Sequence, residues 1–414
     1  MLARVVGLGD LPADFRRLWT ATLASNLADG ITAVTFALAA VSLTTDPVLV
    51  AAVSVAAGIP PVLTALHAGA IADRVDRRRL MLGVQVLRII VIGGLAVVTV
   101  ADLLSLPVLI VAAFVLSIGQ TFYDTTSQAI VPMVAGSAVL TRANSRLFAA
   151  ETLTDTFLGP PLGGALVTAG IALAWGGATL GYLVALFGMT MLRGTFRVDR
   201  NGSSQTMRED IVEGLRWLFG HPLQRTLSLM VACGAFSGAA VFSVFVLYAV
   251  TPGPMGLSEF EFGLLLTAMG AGSLVGTAIV EPVERRLGIA RTLLVSQLAF
   301  AVAFLVPGLT ANVPAITVAF VLSGVATMTW NVTNVSLRQR FIPGSLYGRV
   351  HAGHRLLNRG AALAGGIVGG LIGGLVGLPA VFVVAAAVVL ASMLGGLIVN
   401  DRNVAAALAV AEPT

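Results

Sequence analysis

The chain has 414 residues, 57% of them hydrophobic and only 11% charged, and its mean hydropathy is +0.93. A water-soluble domain carries about 25% charged residues, so too little polar surface remains to coat a globule in water, and lipid must be the solvent for much of it. The net charge of +5 is small, no nucleic-acid partner is expected, and all 25 basic residues are arginine, a bias that with the abundant Ala, Gly and Val points to a GC-rich bacterial genome. The sole cysteine, Cys233, excludes an intrachain disulfide. Met1 to Asp14 is short and mixed, without the pattern of a cleavable signal.

A membrane-spanning helix needs about 20 mostly apolar residues. Twelve such stretches follow in chain order: 15–43, 48–70, 80–101, 105–133, 147–169 and 172–193, then 224–250, 260–280, 289–309, 313–337, 357–377 and 379–400. Pro60-Pro61 interrupts the second and predicts a kink within it. The expected fold is an all-α membrane protein of twelve transmembrane helices.

Arginine placement orients the chain. Counting gaps alternately from an inside N-terminus, the arginines of the first loop (Arg74 to Arg79), Arg142, Arg146, the 193–225 stretch, Arg285, Arg286, Arg349 and Arg402 all fall inside, whereas outside gaps hold acids such as Asp46 and Glu259. Both termini are therefore expected in the cytoplasm. The polar stretch in the middle divides the chain into an N-terminal six-helix bundle (1–193), a cytoplasmic linker (194–223) and a C-terminal six-helix bundle (224–414). Within the linker, MREDIVEGLRWLFGHP gathers Ile211, Leu215, Trp217 and Leu218 on one side, which predicts an interfacial amphipathic helix bracing the membrane laterally. The halves repeat: DRVDRR at 73–78 matches EPVERR at 281–286, Arg142 matches Arg349 at an offset of 207, and GPPLGG at 159–164 matches GGIVGG at 365–370. They read as two parallel pseudo-repeats.

The first inside loop, GAIADRVDRRRL from Gly69 to Leu80, resembles the hallmark loop of the major facilitator superfamily. LGPPLGGAL, with Gly159, Pro160, Gly163 and Gly164, resembles the antiporter signature of drug-exporting members. FRRLWTATLASNLADGI at 15–31, SQAIVPMV at 127–134 and LTRANSRL at 140–147 are similar to the exporter branch that contains the enterobactin exporter and macrolide efflux proteins. The resemblance implies the major facilitator fold and a conformational latch at Gly69, Asp73, Arg74, Arg77 and Arg78, in which Gly69 permits close helix approach and Asp73 meets a positive helix N-terminus. Two departures stand out: Asp76 replaces the usual glycine, and Pro132-Met133 stands where an acid often ends helix four, leaving Arg77 without an evident partner.

Charges at membrane depth cost roughly 2.5–3.5 kcal/mol each even on a lenient scale, so the five found there are candidates for function: Asp29, Arg88, Asp124, Glu151 and Asp155. At about 1.5 Å per residue, Arg88, Asp124 and Asp155 share a level about 12 Å in, and Asp29 lies about 21 Å in. Glu151 sits one turn from Asp155 on the same face. Arg88 is read as a structural ion-pair partner of Asp124 or Asp155. Asp29 is the first choice for a proton or cation site, with Asp124, Asp155 and Glu151 next. The second half lacks comparable acids and is expected to supply cavity wall from Trp330, Asn331, Asn334, Phe242 and Phe245.

His67, His221, His351 and His354 have no metal spacing, His351 and His354 reading as part of a basic inner loop; no metal site and no cofactor are expected. No phosphate-binding loop or serine elbow appears, so neither a nucleotide-driven pump nor an enzyme is indicated. The expected function is a monomeric secondary transporter that exports small organic compounds in exchange for protons, by alternating access, from the bacterial inner membrane. A siderophore or secondary-metabolite exporter, an uncoupled facilitator and a transporter-like membrane sensor remain as alternatives.

Overall fold

The structure, a computed structural model, describes residues 11–72, 75–136, 139–192, 194, 196 and 207–411. The apolar runs form long helices: α1 (Ala13–Leu43), α2 (Pro47–Ala72), α3 (Arg77–Val100) and α4 (Leu106–Ala135). Next come α5 (Leu140–Glu151), a π-helical stretch (Thr152–Leu158), α6 (Gly159–Ala169), α7 (Ile171–Thr190) and α8 (Met207–Gly220). The second half contains α9 (Pro222–Ala249), α10 (Glu259–Leu287), α11 (Ile289–Leu309), α12 (Val313–Phe341), α13 (Gly344–Leu375), α14 (Leu378–Ser392), a 3₁₀ turn (Met393–Leu397) and α15 (Asp401–Ala411). Eleven helices among the described residues are long and apolar enough to cross a bilayer. The remaining predicted span, 147–169, is helical throughout but divided by the π-helical stretch. Side chains such as Ile90, Val97, Leu375 and Leu397 are at least 65% exposed. Water would penalise such a surface, and lipid does not.

One in-helix proline is accommodated by a hydroxyl donor. Pro60 and Pro61 lie within α2, which continues through them. Pro61 brings no N–H to the carbonyl four residues back, that of Ala57, and Ser117 Oγ on α4 donates to it instead at 2.5 Å. Asp76, the departure from the usual loop glycine, is the N-cap of α3. Its carboxylate accepts from the backbone N–H of Arg79 at 3.0 Å and from that of Phe196 at 2.8 Å. A cap of this kind is worth about 1 kcal/mol.

The chain packs into two units. The first comprises Met1–Thr44, Ala56–Gly202 and Leu257–Thr267, and the second Thr45–Val55, Ser203–Gly256 and Ala268–Thr414. Within the first, α1 packs on α4, α5, α6 and α7, and α3 on α4 and α7. Its core joins Phe15, Leu18, Met81, Tyr123, Ile130 and Met189. Within the second, α9 packs on α13 and α14, and α11 on α12 and α14.

The helix predicted in the linker exists as α8, but it does not lie free as a lateral brace. It packs along α13. Leu218 is fully buried with Ile342 and Val350, and Trp217 stacks near Phe341 at 6.2 Å. Arg349 pairs with Glu213. The approach is so close that a Cβ on Gly214 would lie 2.2 Å from the carbonyl oxygen of Arg349. The amphipathic face therefore has protein, not lipid, as its partner. Gly214→Leu is expected to lower the thermal midpoint of the purified protein by several degrees, in line with the 1–3 kcal/mol of overpacking. Gly220→Ala, where nothing lies within 4 Å of the added Cβ, is expected to leave it unchanged.

Candidate functional site

A cavity of about 450 Å³ opens within the first unit, a volume in the range that takes small organic ligands. Helical periodicity builds it. Helix α1 contributes Thr22, Asn26 and Asp29; α4 contributes Gln120, Tyr123, Asp124, Ser127, Gln128 and Val131; α5 contributes Asn144, Leu147, Phe148 and Glu151; and the π-helical stretch contributes Asp155. Residues 144, 147, 148, 151 and 155 recur at three- and four-residue steps, so one face of a continuous helical path lines the space. The four acids singled out in the sequence thus share one wall system, and most of the remaining lining is amide, hydroxyl or aromatic.

Arg88 on α3 is 1% exposed and holds the base of this network. Its Nη1 donates to Ser25 Oγ at 2.8 Å, and its Nη2 donates to Gln120 Oε1 and faces Asp29 Oδ1 at 3.6 Å. Tyr123 and Tyr182 rings flank the guanidinium at 4.6 and 5.2 Å, a desolvated cation–π geometry worth about 2 kcal/mol. Tyr182 OH donates to Asp29 Oδ1 at 2.8 Å. The amide of Gln120 also donates from Nε2 to Asp124 Oδ1 at 2.8 Å. Arg88 therefore pairs directly with Asp29, and Gln120 bridges it to Asp124. The expected pairing with Asp124 or Asp155 is corrected: a guanidinium on its long stem spans the difference in depth between α3 and α1. Ser25, Gln85, Gln120, Tyr123 and Tyr182 did not emerge from the sequence. Their signal was available, since Gln85 lies one turn before Arg88, Gln120 one turn before Asp124, and two of the chain's four tyrosines flank the arginine.

Asp155 and Glu151 differ from Asp29. Neither carboxylate makes a hydrogen bond or ion pair among the described residues, and both line the cavity. Asp155 lies within the π-helical stretch. The N–H of Gly159 bonds to Thr154 O, five residues back, and Pro160 and Pro161 bring no donors. The carbonyl of Phe157, which a residue at 161 would serve, accepts from Thr267 Oγ1 at 3.3 Å. The signature glycines permit two backbone contacts. A Cβ on Gly159 would lie 2.7 Å from Gly30 Cα, and one on Gly30 would lie 2.4 Å from Asp155 O. On the other side, a Cβ on Gly164 would lie 2.3 Å from Glu259 O, and one on Gly263 would lie 2.3 Å from Pro160 O. Gly163 packs on Ile31 and Val34. The motif is thus a packing device that sets Asp155 beside the residue following Asp29.

The remaining candidates are placed elsewhere. Trp330 and Phe245 do not line the space expected of them. Trp330 is 5% exposed in a core cluster with Leu223, Leu293 and Leu337, and Phe245 is 1% exposed among Phe320, Tyr248 and Phe382. Phe242 is partly exposed and edges onto Phe320. Asn331 is exposed and Asn334 buried on α12. His351 and His354 are not in a loop but on α13, with His354 buried. Arg77 donates to Ala129 O at 2.6 Å and to Met133 Sδ at 3.2 Å, so the carbonyl and thioether of α4 take the place of the missing acid. Arg78 caps the end of α7 through Met189 O and Thr190 O. Asp73 and Arg74 lie outside the described residues, and Gly69 is placed only as part of α2. Among the described residues no group of three or more His, Cys, Asp or Glu could hold a metal ion.

Residues 12–412 match the family described as transmembrane secretion effector. The chain belongs to that family, within the major facilitator superfamily. It is 26% identical over 322 residues to the multidrug efflux pump Tap of Mycolicibacterium fortuitum, covering 73% of this chain and 75% of Tap. Its fold matches a bacterial homologue of the iron transporter ferroportin in an inward-facing state, with a TM-score of 0.76 and 19% identity over 94% of this chain and 99% of that one. The nucleoside transporter NupG aligns with a TM-score of 0.73 and 15% identity, over 94% of this chain and 99% of that one. This family member is a multi-pass secondary transporter, not an enzyme, and the acidic cavity is its candidate transport site.

The Arg88–Asp29 pair makes a prediction of its own. Removing one partner of a buried pair costs about 3–5 kcal/mol, so Arg88→Met alone is expected to destabilise the transporter strongly. Arg88→Met combined with Asp29→Asn is expected to recover most of that loss. Thermal unfolding of the two singles and the double variant in detergent measures the coupling.

Proposed function

We propose that this transporter exports small organic compounds in exchange for protons, and that Asp155, with Glu151, carries the proton. The observation that supports this is the unequal partnership of the four acids. Asp29 is claimed by Arg88 and Tyr182, whereas Asp155 and Glu151 face the cavity with no cation or donor of their own among the described residues. Carboxylates in that condition are the ones able to trade a proton for a cargo. The relation to a multidrug efflux pump supports export of a foreign or toxic small molecule. Asp29 becomes the fixed counter-ion of Arg88, and Asp124 a member of the network that reads its charge through Gln120.

The working cycle in this proposal is alternating access, with the sequence halves 1–193 and 224–414 as the moving bodies and both termini in the cytoplasm of a bacterial cell. The latch loop contributes through Asp73, Arg74, Arg77 and Arg78. The family's efflux relative favours this reading over a sensor, which would not need unpartnered carboxylates in a ligand-sized cavity.

The test is uptake into inverted vesicles energised by a pH gradient, with ethidium as the reporter cargo. Asp155→Asn is expected to lower gradient-driven accumulation at least tenfold, while counterflow of ethidium down its own gradient persists. Accumulation by Asp155→Asn equal to that of the unaltered protein would contradict the assignment.

A further inference from the structure

The repeat at an offset of 207 residues carries the lining of the acidic cavity onto the second unit. Asp124, Ser127 and Val131 on α4 map to Asn331, Asn334 and Arg338 on α12. On α5, Asn144, Leu147, Phe148 and Glu151 map to His351, His354, Arg355 and Asn358 on α13. The helical spacing is the same in both copies, so each set forms one stripe. The chemistry differs. Where the first unit carries Asp124 and Glu151 the second carries Asn331 and Asn358, and Arg338, His351, His354 and Arg355 stand at the positions of Val131, Asn144, Leu147 and Phe148.

The geometry of these basic residues is that of a site without its anion. Arg338 is 2% exposed, and among the described residues its Nε has no hydrogen-bond partner and it makes no ion pair. Its polar contact runs from Nη2 to His351 Nδ1 at 3.2 Å, which joins the two stripes. Glu284, the last of four acids on α10, accepts from the hydroxyl of Thr333 at 3.4 Å. A buried guanidinium left in this condition is costly and calls for a counter-ion.

The hydrogen-bond directions sharpen the chemistry. Arg338 can only donate, so His351 accepts at Nδ1 and carries its proton on Nε2. Gln224 Nε2 donates to Ser228 Oγ at 3.1 Å, and the same hydroxyl meets His354 Nδ1, also at 3.1 Å. Arg338 Nε, His351 Nε2–H and the Nε2 edge of His354 are uncommitted among the described contacts, a set suited to an oxyanion when His354 carries its proton on Nε2. We propose that Arg338, His351 and His354 of the second unit form a binding site for a carboxylate or phosphate group. The site does not depend on proton coupling through Asp155, so the two proposals fail separately.

The test uses the full chain in phosphatidylcholine nanodiscs, with thermal unfolding followed in citrate, inorganic phosphate or chloride at matched ionic strength. Citrate or phosphate is expected to raise the midpoint by several degrees over chloride, because a ligand that binds the folded state stabilises it. Arg338→Met is expected to raise the midpoint in chloride, since it removes an unpaired buried charge, and to abolish the citrate and phosphate shifts. His354→Gln is expected to weaken those shifts while the protein stays folded, and decides the matter if Arg338→Met does not fold. Replacing half of the lipid by phosphatidylglycerol separates the sources. An Arg338-dependent rise with that lipid alone assigns the site to a lipid headgroup, and a rise with citrate or phosphate assigns it to a soluble anion. No response beyond chloride to any of the three, or a response that survives both Arg338→Met and His354→Gln, would overturn the proposal.

Discussion

A buried guanidinium must be solvated by something, and in the first unit Arg88 is solvated by an oxygen-rich cradle that determines what each nearby acid can do. Ser25 and Gln120 accept its protons, two tyrosine faces flank it, and Asp29 supplies the opposing charge. Each of these partners is fixed in turn. Gln85 Nε2 donates to the same Ser25 oxygen at 3.0 Å, Tyr182 also contacts Thr32, and Gln120 is held by Asp124. Gln85 Oε1 and the Tyr123 hydroxyl have no hydrogen-bond partner among the described residues, so the network is satisfied only in part. In the proposed function, the charge that Arg88 neutralises is structural and the charge it leaves untouched serves transport.

Backbone packing decides which acids stand beside this cradle. Gly30 and Gly159 bring α1 and the π-helical stretch into main-chain contact, and no side chain larger than hydrogen fits at either position. The prolines that follow Gly159 would leave carbonyls bare in hydrocarbon. The protein answers with hydroxyls, Thr267 at Phe157 O and, in the same manner, Ser117 at Ala57 O beneath Pro61. A single strategy thus lets helices bend or change pitch at membrane depth without exposing unsatisfied peptide groups.

Much of this was legible in the sequence. Apolar runs located the spans, because only helices satisfy their own backbone in lipid, and acids at depth located the cavity, because a charge there requires a reason. What escaped was azimuth and reach. Counting residues from a helix end gives depth but not the direction of a side chain, so Arg88 was matched to acids at its own level instead of to Asp29. Trp330 and Phe245 were read as wall because aromatics suit both walls and cores, and composition does not separate the two uses. His351 and His354 looked like loop residues because the arginines around them masked the helical spacing that places them on α13. The linker helix has the pattern of a membrane-surface helix, and only Gly214, a position where bulk is forbidden by Arg349, marks it as docked on protein.

The central proposal is that Asp29 serves as the counter-ion of Arg88 while Asp155 and Glu151 exchange the protons. Infrared difference spectra of the protein in lipid, recorded across a pH titration, read the carbonyl stretch of protonated carboxyl groups directly. The account predicts that Asp155→Asn removes a pH-dependent carboxyl band that Asp29→Asn leaves intact. A band that survives Asp155→Asn and Glu151→Gln but disappears in Asp29→Asn would place the exchanging proton on Asp29 and contradict the account.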